Sequence, residues 1–244
     1  MVFGILFCFL PLIVFFLIFT FAYKLNVFYQ LIAILTGLLS VIPISLIQYF
    51  VPDINDFANN YPIFYSLLKS LILYAVIEEV IKMLFLFFLP ISEGKLSRNN
   101  KIELTDSGTK AFALKRFILL GFIMGLSVGC FESGVYFFEH MQKAKNAGSQ
   151  LLYIPIFIRM FSAVIIHFSC TGLCALFMFG LKNKITKISL MLSAILIHGI
   201  YDFFAGFQNS FKYFAFAVVL FSIIECRLKY KNLQENIDKT IDKD

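Results

Sequence analysis

The sequence predicts an all-α, polytopic membrane protein, a bundle of about seven transmembrane helices, and its composition and its long apolar stretches carry this prediction. Of the 244 residues, 60% are hydrophobic and 15% are charged, and the mean hydropathy is +0.85. A soluble globular domain has a very different balance. Seven apolar stretches of about 16 to 30 residues are long enough, as helices, to cross or nearly cross a hydrocarbon core of about 30 Å. The lipid bilayer is therefore the expected solvent.

These stretches define the predicted domain organisation. They lie at about 2–22, 27–50, 63–91, 117–138, 152–180, 188–207 and 211–226. The first lacks a basic n-region and a convincing cleavage site, so we expect a retained helix. The longest loop, about 92–116, is too small for a second domain. We therefore expect one transmembrane domain over residues 1–226 and a short, charged cytoplasmic tail over 227–244.

The basic residues indicate the orientation. The first, third and fifth loops and the C-terminal tail carry fifteen of the 21 Lys and Arg residues, and the opposite side carries Lys143, Lys145 and Lys212. The positive-inside rule puts the N-terminus outside and the tail in the cytoplasm. Although the net charge is +6, the basic residues are scattered between apolar stretches, so no nucleic-acid partner is expected. The five cysteines form no C-x-x-C motif, so neither a disulfide framework nor a cysteine-rich zinc site is indicated.

Ionisable residues inside the predicted spans are the strongest indication of function. Each costs at least about 2.5–3.5 kcal/mol near the bilayer centre, so such residues are rarely retained without a role. A single intramembrane His or Asp is more often a hydrogen bond between helices than a catalyst, but several acids and imidazoles at compatible depths favour a functional site. The set comprises Glu78, Glu79, Lys82, Glu132, His167, His198 and Asp202.

Helical spacing turns this set into an expected geometry. Lys82 lies four residues after Glu78 and three after Glu79, so its ammonium can neutralise one carboxylate of the same helix face. The other carboxylate then needs a proton, a water or a partner from another helix. His198 and Asp202 are four apart, which lets the carboxylate fix the imidazole tautomer.

The fourth and fifth spans are predicted to turn their polar groups inward. Glu132 follows a ridge of small residues, Gly121, Gly125 and Gly129, that allows close helix approach. Tyr136 lies four residues beyond Glu132 and shares its face. His167 lies among small or weakly polar residues, so one polar cavity can receive all of these groups. Lys69 is expected to snorkel to the interface, and Arg159 is expected to be a counter-ion or an interface anchor.

The ordered motifs resemble those of the PrsW family of bacterial membrane proteases, within the wider glutamic intramembrane peptidase group that includes the CAAX prenyl endopeptidases and the Abi proteins. The matching segments, on successive spans between about 63 and 207, are E-E-V-I-K (Glu78, Glu79, Lys82), F-E-S-G-V-Y (Glu132, Tyr136), His167 after Arg159, and H-G-I-Y-D (His198, Asp202). The resemblance implies an endopeptidase of the bacterial cytoplasmic membrane that cuts a membrane-tethered protein, typically an anti-sigma factor.

The resemblance also implies roles for the residues. Glu78 would activate water, Glu79 would be held beside it by Lys82, and Glu132 and His167 would complete the cavity. His198 and Asp202 would stabilise the oxyanion. Because an ionised Asp202 is a poor donor, we expect it to orient His198 or to be protonated.

Three functional hypotheses follow. In the first, Glu78 activates water and no cofactor is expected. In the second, His167, His198 and a glutamate bind zinc, although the sequence lacks H-E-x-x-H. The third is a proton- or ion-coupled transporter. The sequence shows no internal repeat, which counts against this hypothesis because many transporters are built from such repeats. For a protease, we expect cleavage on the outer side or in the outer half of the bilayer.

Overall fold

The predicted all-α class is confirmed by a computed structural model, which describes residues 2–51, 55–89, 106–147, 153–183, 185, 187–207 and 209–241. Throughout these ranges the regular secondary structure is helical. The first part of the predicted loop at 92–116 lies outside the described residues, and its second part, from Asp106, is the beginning of a long helix.

The helices differ greatly in length. In chain order they are α1 (Val2–Cys8), α2 (Leu10–Phe21), α3 (Val27–Phe50), α4 (Asn55–Asn60), α5 (Pro62–Leu68), a π-helix (Lys69–Val76), α6 (Ile77–Leu86), α7 (Asp106–Ala147), α8 (Tyr153–Lys182), α9 (Ile188–Ala205), a 3₁₀ turn (Ser210–Tyr213) and α10 (Phe214–Ile241). By length and composition, the described part of the chain has four candidate membrane spans: Val27–Phe50, Lys110–Met141, Phe157–Lys182 and Ile188–Ala205.

The other predicted spans are divided or prolonged. The first is interrupted at Phe9, and Pro11, which has no N–H to give to the preceding turn, stands in the first turn of α2. The third consists of α5, the π-helix and α6 in direct succession. The last continues as α10 to Ile241, so the predicted boundary at residue 226 falls inside a helix. The buried side chains of Leu233 and Ile237 belong to the main hydrophobic core.

Helix α8 is the centre of the bundle. In the apolar 18-residue stretch of α8, 78% is buried within the protein, whereas only 28% of the corresponding stretch of α3 is buried. Helix α3 therefore lies at the periphery. The glycine ridge of α7 permits a close helix approach, as predicted, and the helix that it faces is α8. A Cβ at Gly129 would lie 2.8 Å from the Cα of Val164, and one at Gly125 would collide with the carbonyl oxygen of His167. The missing side chains therefore let the two backbones meet beside His167.

The π-helix has a similar relation to α9. A Cβ at Gly199 would lie 2.9 Å from the Cα of Leu71 in the π-helix, so the two backbones are in close contact at this point. The neighbouring residue, His198, is thereby held next to the beginning of α6, where Glu78 and Glu79 lie. A π-helical segment inside a longer helix often marks a functional site.

We predict that Gly125→Ala lowers the free energy of unfolding by about 1–3 kcal/mol, because the added methyl group overpacks the contact with the His167 backbone. Gly134→Ala is the matched control on the same helix, since its Cβ would meet only Phe9 at 3.9 Å. Unfolding in mixed micelles, followed by circular dichroism, measures both variants. Equal stabilities for the two would contradict the assigned packing.

Candidate active site

The Glu79 carboxylate is the buried centre of a network that joins three helices. Its Oε1 accepts hydrogen bonds from Lys82 Nζ at 2.6 Å and from His198 Nδ1 at 2.6 Å. Its Oε2 accepts from the Cys174 thiol at 3.3 Å. The side chains of Glu79 and Lys82 are both 0% exposed. A charge removed from water to this degree requires several charge-assisted bonds, and Glu79 has them.

Lys82 extends the network from α6 to α8. Besides its bond to Glu79, its ammonium lies 2.9 Å from His167 Nδ1 and 3.7 Å from Glu78 Oε2. Since an ammonium can only donate, His167 accepts at Nδ1. The predicted neutralisation of one carboxylate within the helix is therefore confirmed, with Glu79 as the close partner.

The two oxygens of Glu78 have different surroundings. Oε1 accepts from the side-chain amide of Gln48 on α3 at 3.1 Å, which supplies the partner from another helix that the sequence required. Oε2 lies 3.8 Å from His198 Nε2 and 4.0 Å from His167 Nδ1. The Glu78 side chain is 15% exposed, so this acid, unlike Glu79, reaches a water-accessible space.

The two imidazoles face Glu78 because a carboxylate binds the far side of each ring. His198 donates from Nδ1 to Glu79, and His167 donates from Nε2 to Glu132 in a short hydrogen bond. Each neutral ring then carries its lone pair on the nitrogen nearer to Glu78. The ring centroids are 4.8 Å apart at an interplanar angle of 80°.

Arg159 lies in an outer layer of the site. Its guanidinium lies 3.8 Å from Glu132 Oε1 and 3.9 Å from Asp202 Oδ1, so it bridges α7 and α9. The same group lies over the rings of Tyr136 and Tyr201, at 5.1 Å and 5.9 Å from their centroids. Arg159 thus balances two acids, as the counter-ion reading expected.

A cavity of about 500 Å³ adjoins the network. The acids that line it are Glu78, Glu132 and Asp202, whereas His167 and His198 are almost fully buried behind its wall. The remaining lining residues are Gln48, Ser66, Lys69, Ser70, Tyr74, Arg159 and Gly206. The site therefore has a face that is open to the cavity and an inner layer behind it. The inner layer consists of Glu79, Lys82, His167 and His198.

Some sequence expectations differ from the observed contacts. Asp202 Oδ2 lies 3.5 Å from His198 Nε2, while Glu79 makes the closer bond to the other ring nitrogen, so Glu79 and not Asp202 fixes the tautomer. Tyr136 stacks on His140, with ring centroids 3.8 Å apart, and faces Arg159. Lys69, expected to snorkel, lies over the Tyr65 and Tyr74 rings and lines the cavity.

Sequence reasoning missed two contributors. Gln48 is an ordinary polar residue near the end of an apolar span, and Cys174 is one of the small or weakly polar residues of the helix that carries His167. The signal for Gln48 was its amide, which needs a partner inside a membrane helix. The predicted catalytic residues Glu78, Glu79, Glu132, His167, His198 and Asp202 nonetheless meet in one network with Lys82 and Arg159.

A helical membrane bundle with acids and imidazoles gathered beside a cavity suits an intramembrane peptidase. A sequence profile described as PrsW family intramembrane metalloprotease matches residues 27–224. The chain belongs to the PrsW family, and it is a multi-pass membrane protein and an intramembrane protease. The resemblance inferred from the motifs is thereby confirmed. No significant match was found among curated proteins or among solved structures.

The family description implies a metal, and the donors around Glu78 suit one. One ligand atom each from Glu78, His167 and His198 lies within 4.8 Å of the others. Two imidazoles and a carboxylate are a recognised zinc-ligand set, and zinc-bound histidines commonly donate their other N–H to a carboxylate, as both rings do here. One contact competes with a metal: Lys82 donates to His167 Nδ1, the lone pair that a metal would use.

We predict that Lys82→Met lowers the free energy of unfolding by about 3–5 kcal/mol, because it leaves the buried Glu79 charge without its cation. The double variant K82M/E79Q should regain part of that loss, since the unpaired charge is gone. Lys229→Met is the control, because its partner Glu225 is 3.3 Å away and both side chains are partly exposed. That change should cost about 1 kcal/mol or less.

Denaturant unfolding of all three variants in mixed micelles measures this difference. The pair of Lys82 and Glu79 would not have the stabilising role assigned to it if K82M were no less stable than K229M. The same would follow if the double variant gained nothing over K82M.

Proposed function

We propose that this protein is an endopeptidase that hydrolyses membrane-anchored proteins, with Glu78 as the general base that activates water. The observation that supports this most directly is the position of Glu78. Its carboxylate lines the cavity, and its Oε2 lies within 4.0 Å of both imidazoles and of Lys82. A water bound at Oε2 would therefore lie where a base and several polar groups converge.

The proposed reaction needs only one proton acceptor. The water oxygen attacks the scissile carbonyl carbon while Glu78 takes the water proton, and Glu78 then gives that proton to the leaving nitrogen as the C–N bond breaks. Glu79, held by Lys82, keeps His198 in its orientation throughout. Glu79 and Lys82 are thus in position before the substrate arrives, which is the condition for electrostatic preorganisation.

The oxyanion needs donors, and the observed bonds limit which groups can act. His198 can donate from Nε2 only when both of its nitrogens are protonated, because Nδ1–H is committed to Glu79. Asp202, 3.5 Å from that Nε2, would favour the protonated ring. Arg159 lines the cavity itself and is always charged, so it supplies a second donor.

A second candidate mechanism is metal-assisted hydrolysis, which the Glu78, His167 and His198 donor set and the family description favour. A divalent metal held by these three residues would polarise the water and the scissile carbonyl. The substrate class is the same in both mechanisms.

The proposed topology is one transmembrane domain of about seven spans. Its N-terminus lies outside, and residues 227–244 lie in the cytoplasm. The cavity is lined by Gln48 near the end of α3, by Ser66 in α5 and by Gly206 just after α9. In this topology all three positions belong to the outer half of the protein. A substrate would therefore be cut in the outer half of the bilayer, and an anti-sigma factor, the substrate that the family resemblance implies, is a protein of this class.

We predict that Glu78→Gln abolishes cleavage while leaving the fold intact, because the amide keeps the shape of the side chain but cannot accept a proton. The probe is a fusion protein with one transmembrane segment between two epitope tags, reconstituted with the protease in phosphatidylethanolamine and phosphatidylglycerol vesicles. Mass spectrometry of the fragments gives the depth of the cut. Full activity of E78Q, or a cut in the cytoplasmic half, would contradict the proposal.

Metal dependence is measured on the same vesicles. Cleavage that survives exhaustive chelation, in protein whose zinc content is negligible, is the result expected for water activation by Glu78 alone. Loss of cleavage on chelation and recovery on adding zinc would instead establish the metal-assisted mechanism. His167→Ala would then also lower the measured zinc content.

A further inference from the structure

Gln48 is a residue of the active site that lies outside every acidic or histidine motif of the chain. It is on α3, its amide donates to Glu78 Oε1 at 3.1 Å, and it lines the cavity. We infer that Gln48 is a positioning residue that fixes the orientation of the Glu78 carboxylate. This inference rests on the proposed role of Glu78.

The reason lies in the asymmetry of the Glu78 carboxylate. Lys82, His167 and His198 all approach Oε2, at 3.7 to 4.0 Å, which is longer than a hydrogen bond. The contact between Gln48 and Oε1 is within hydrogen-bonding distance. The terminal torsion of a glutamate is broad, so a donor on one oxygen restrains the plane of the group. Gln48 thus fixes the plane in which the other oxygen of the carboxylate faces the imidazoles.

The surroundings of Gln48 on α3 support a specific role. The two residues that follow it, Tyr49 and Phe50, are 82% and 76% exposed, and Ser45, three residues earlier, is also exposed. This end of the helix is therefore mostly turned to the outside of the protein. Gln48 itself is half-buried, and its amide is turned to the cavity, where it reaches Glu78.

A positioning role makes a prediction that simple packing does not. Methionine at position 48 preserves the length of the side chain but cannot donate. We therefore expect Gln48→Met to lower kcat about tenfold or more with little change in KM.

The experiment uses the full chain and the tagged single-span fusion in the vesicles described above. Tyr49→Phe is the matched control on the next, exposed residue, and it should keep the wild-type kcat and KM. Wild-type kcat in Q48M, or a loss of kcat/KM that lies wholly in KM, would overturn the inference.

An infrared measurement separates this inference from the proposed function. The difference spectrum between the wild type and E78Q isolates the carboxylate band of Glu78, and the difference between Q48M and Q48M/E78Q isolates the same band without the amide donor. We expect the antisymmetric stretch to shift in the Q48M background. An unchanged band would refute the contact even in a protein that cleaves. A shifted band in a protein that does not cleave the fusion would preserve the contact and reject the proposed function.

Discussion

The ion pair between Lys82 and Glu79 is the interaction on which the rest of the site depends. Two charges in a lipid-embedded core are tolerated only when they neutralise each other and their remaining bonding capacity is used. Here the surplus bonds go to histidines: Glu79 holds one nitrogen of His198, and Lys82 holds one nitrogen of His167. The bonds that satisfy the pair therefore also hold both rings beside Glu78, while Glu132 binds the far nitrogen of His167.

Close backbone contacts make this arrangement possible. The inner layer brings together side chains from α6, α8 and α9, and two of these helices, α8 and α9, meet their neighbours at glycine contacts. Gly125 and Gly129 bring α7 against α8 beside His167, and Gly199 brings α9 against the π-helix beside His198. In lipid, where apolar surface gives little net driving force for association, packing of this kind holds helices together. The geometry of the candidate site and the stability of the bundle thus have the same structural origin.

Much of this could be anticipated from the sequence because the informative signals are local. The pairing of Lys82 with an acid three residues earlier and the glycine ridge of α7 follow from helical spacing alone. Competition between acids on different helices for the same histidine could not be anticipated. His198 was expected to bind Asp202, four residues away, but Glu79, 119 residues away in the chain, makes the closer bond. Nor does any spacing rule identify Gln48 or the π-helical stretch, since both depend on how separate helices meet.

The short separation between Lys82 and Glu79 also bears on how the chain is built into the membrane. Synthesis delivers α6 well before α8 and α9, so neither histidine exists when these charges first meet lipid. A positive and a negative group in one helical turn can cancel without waiting for them. Gln48, the partner of the remaining acid, belongs to a helix that has already been made. The Lys82 and Glu79 charges can therefore offset each other before either imidazole is made, and the two rings join an ion pair that has already formed.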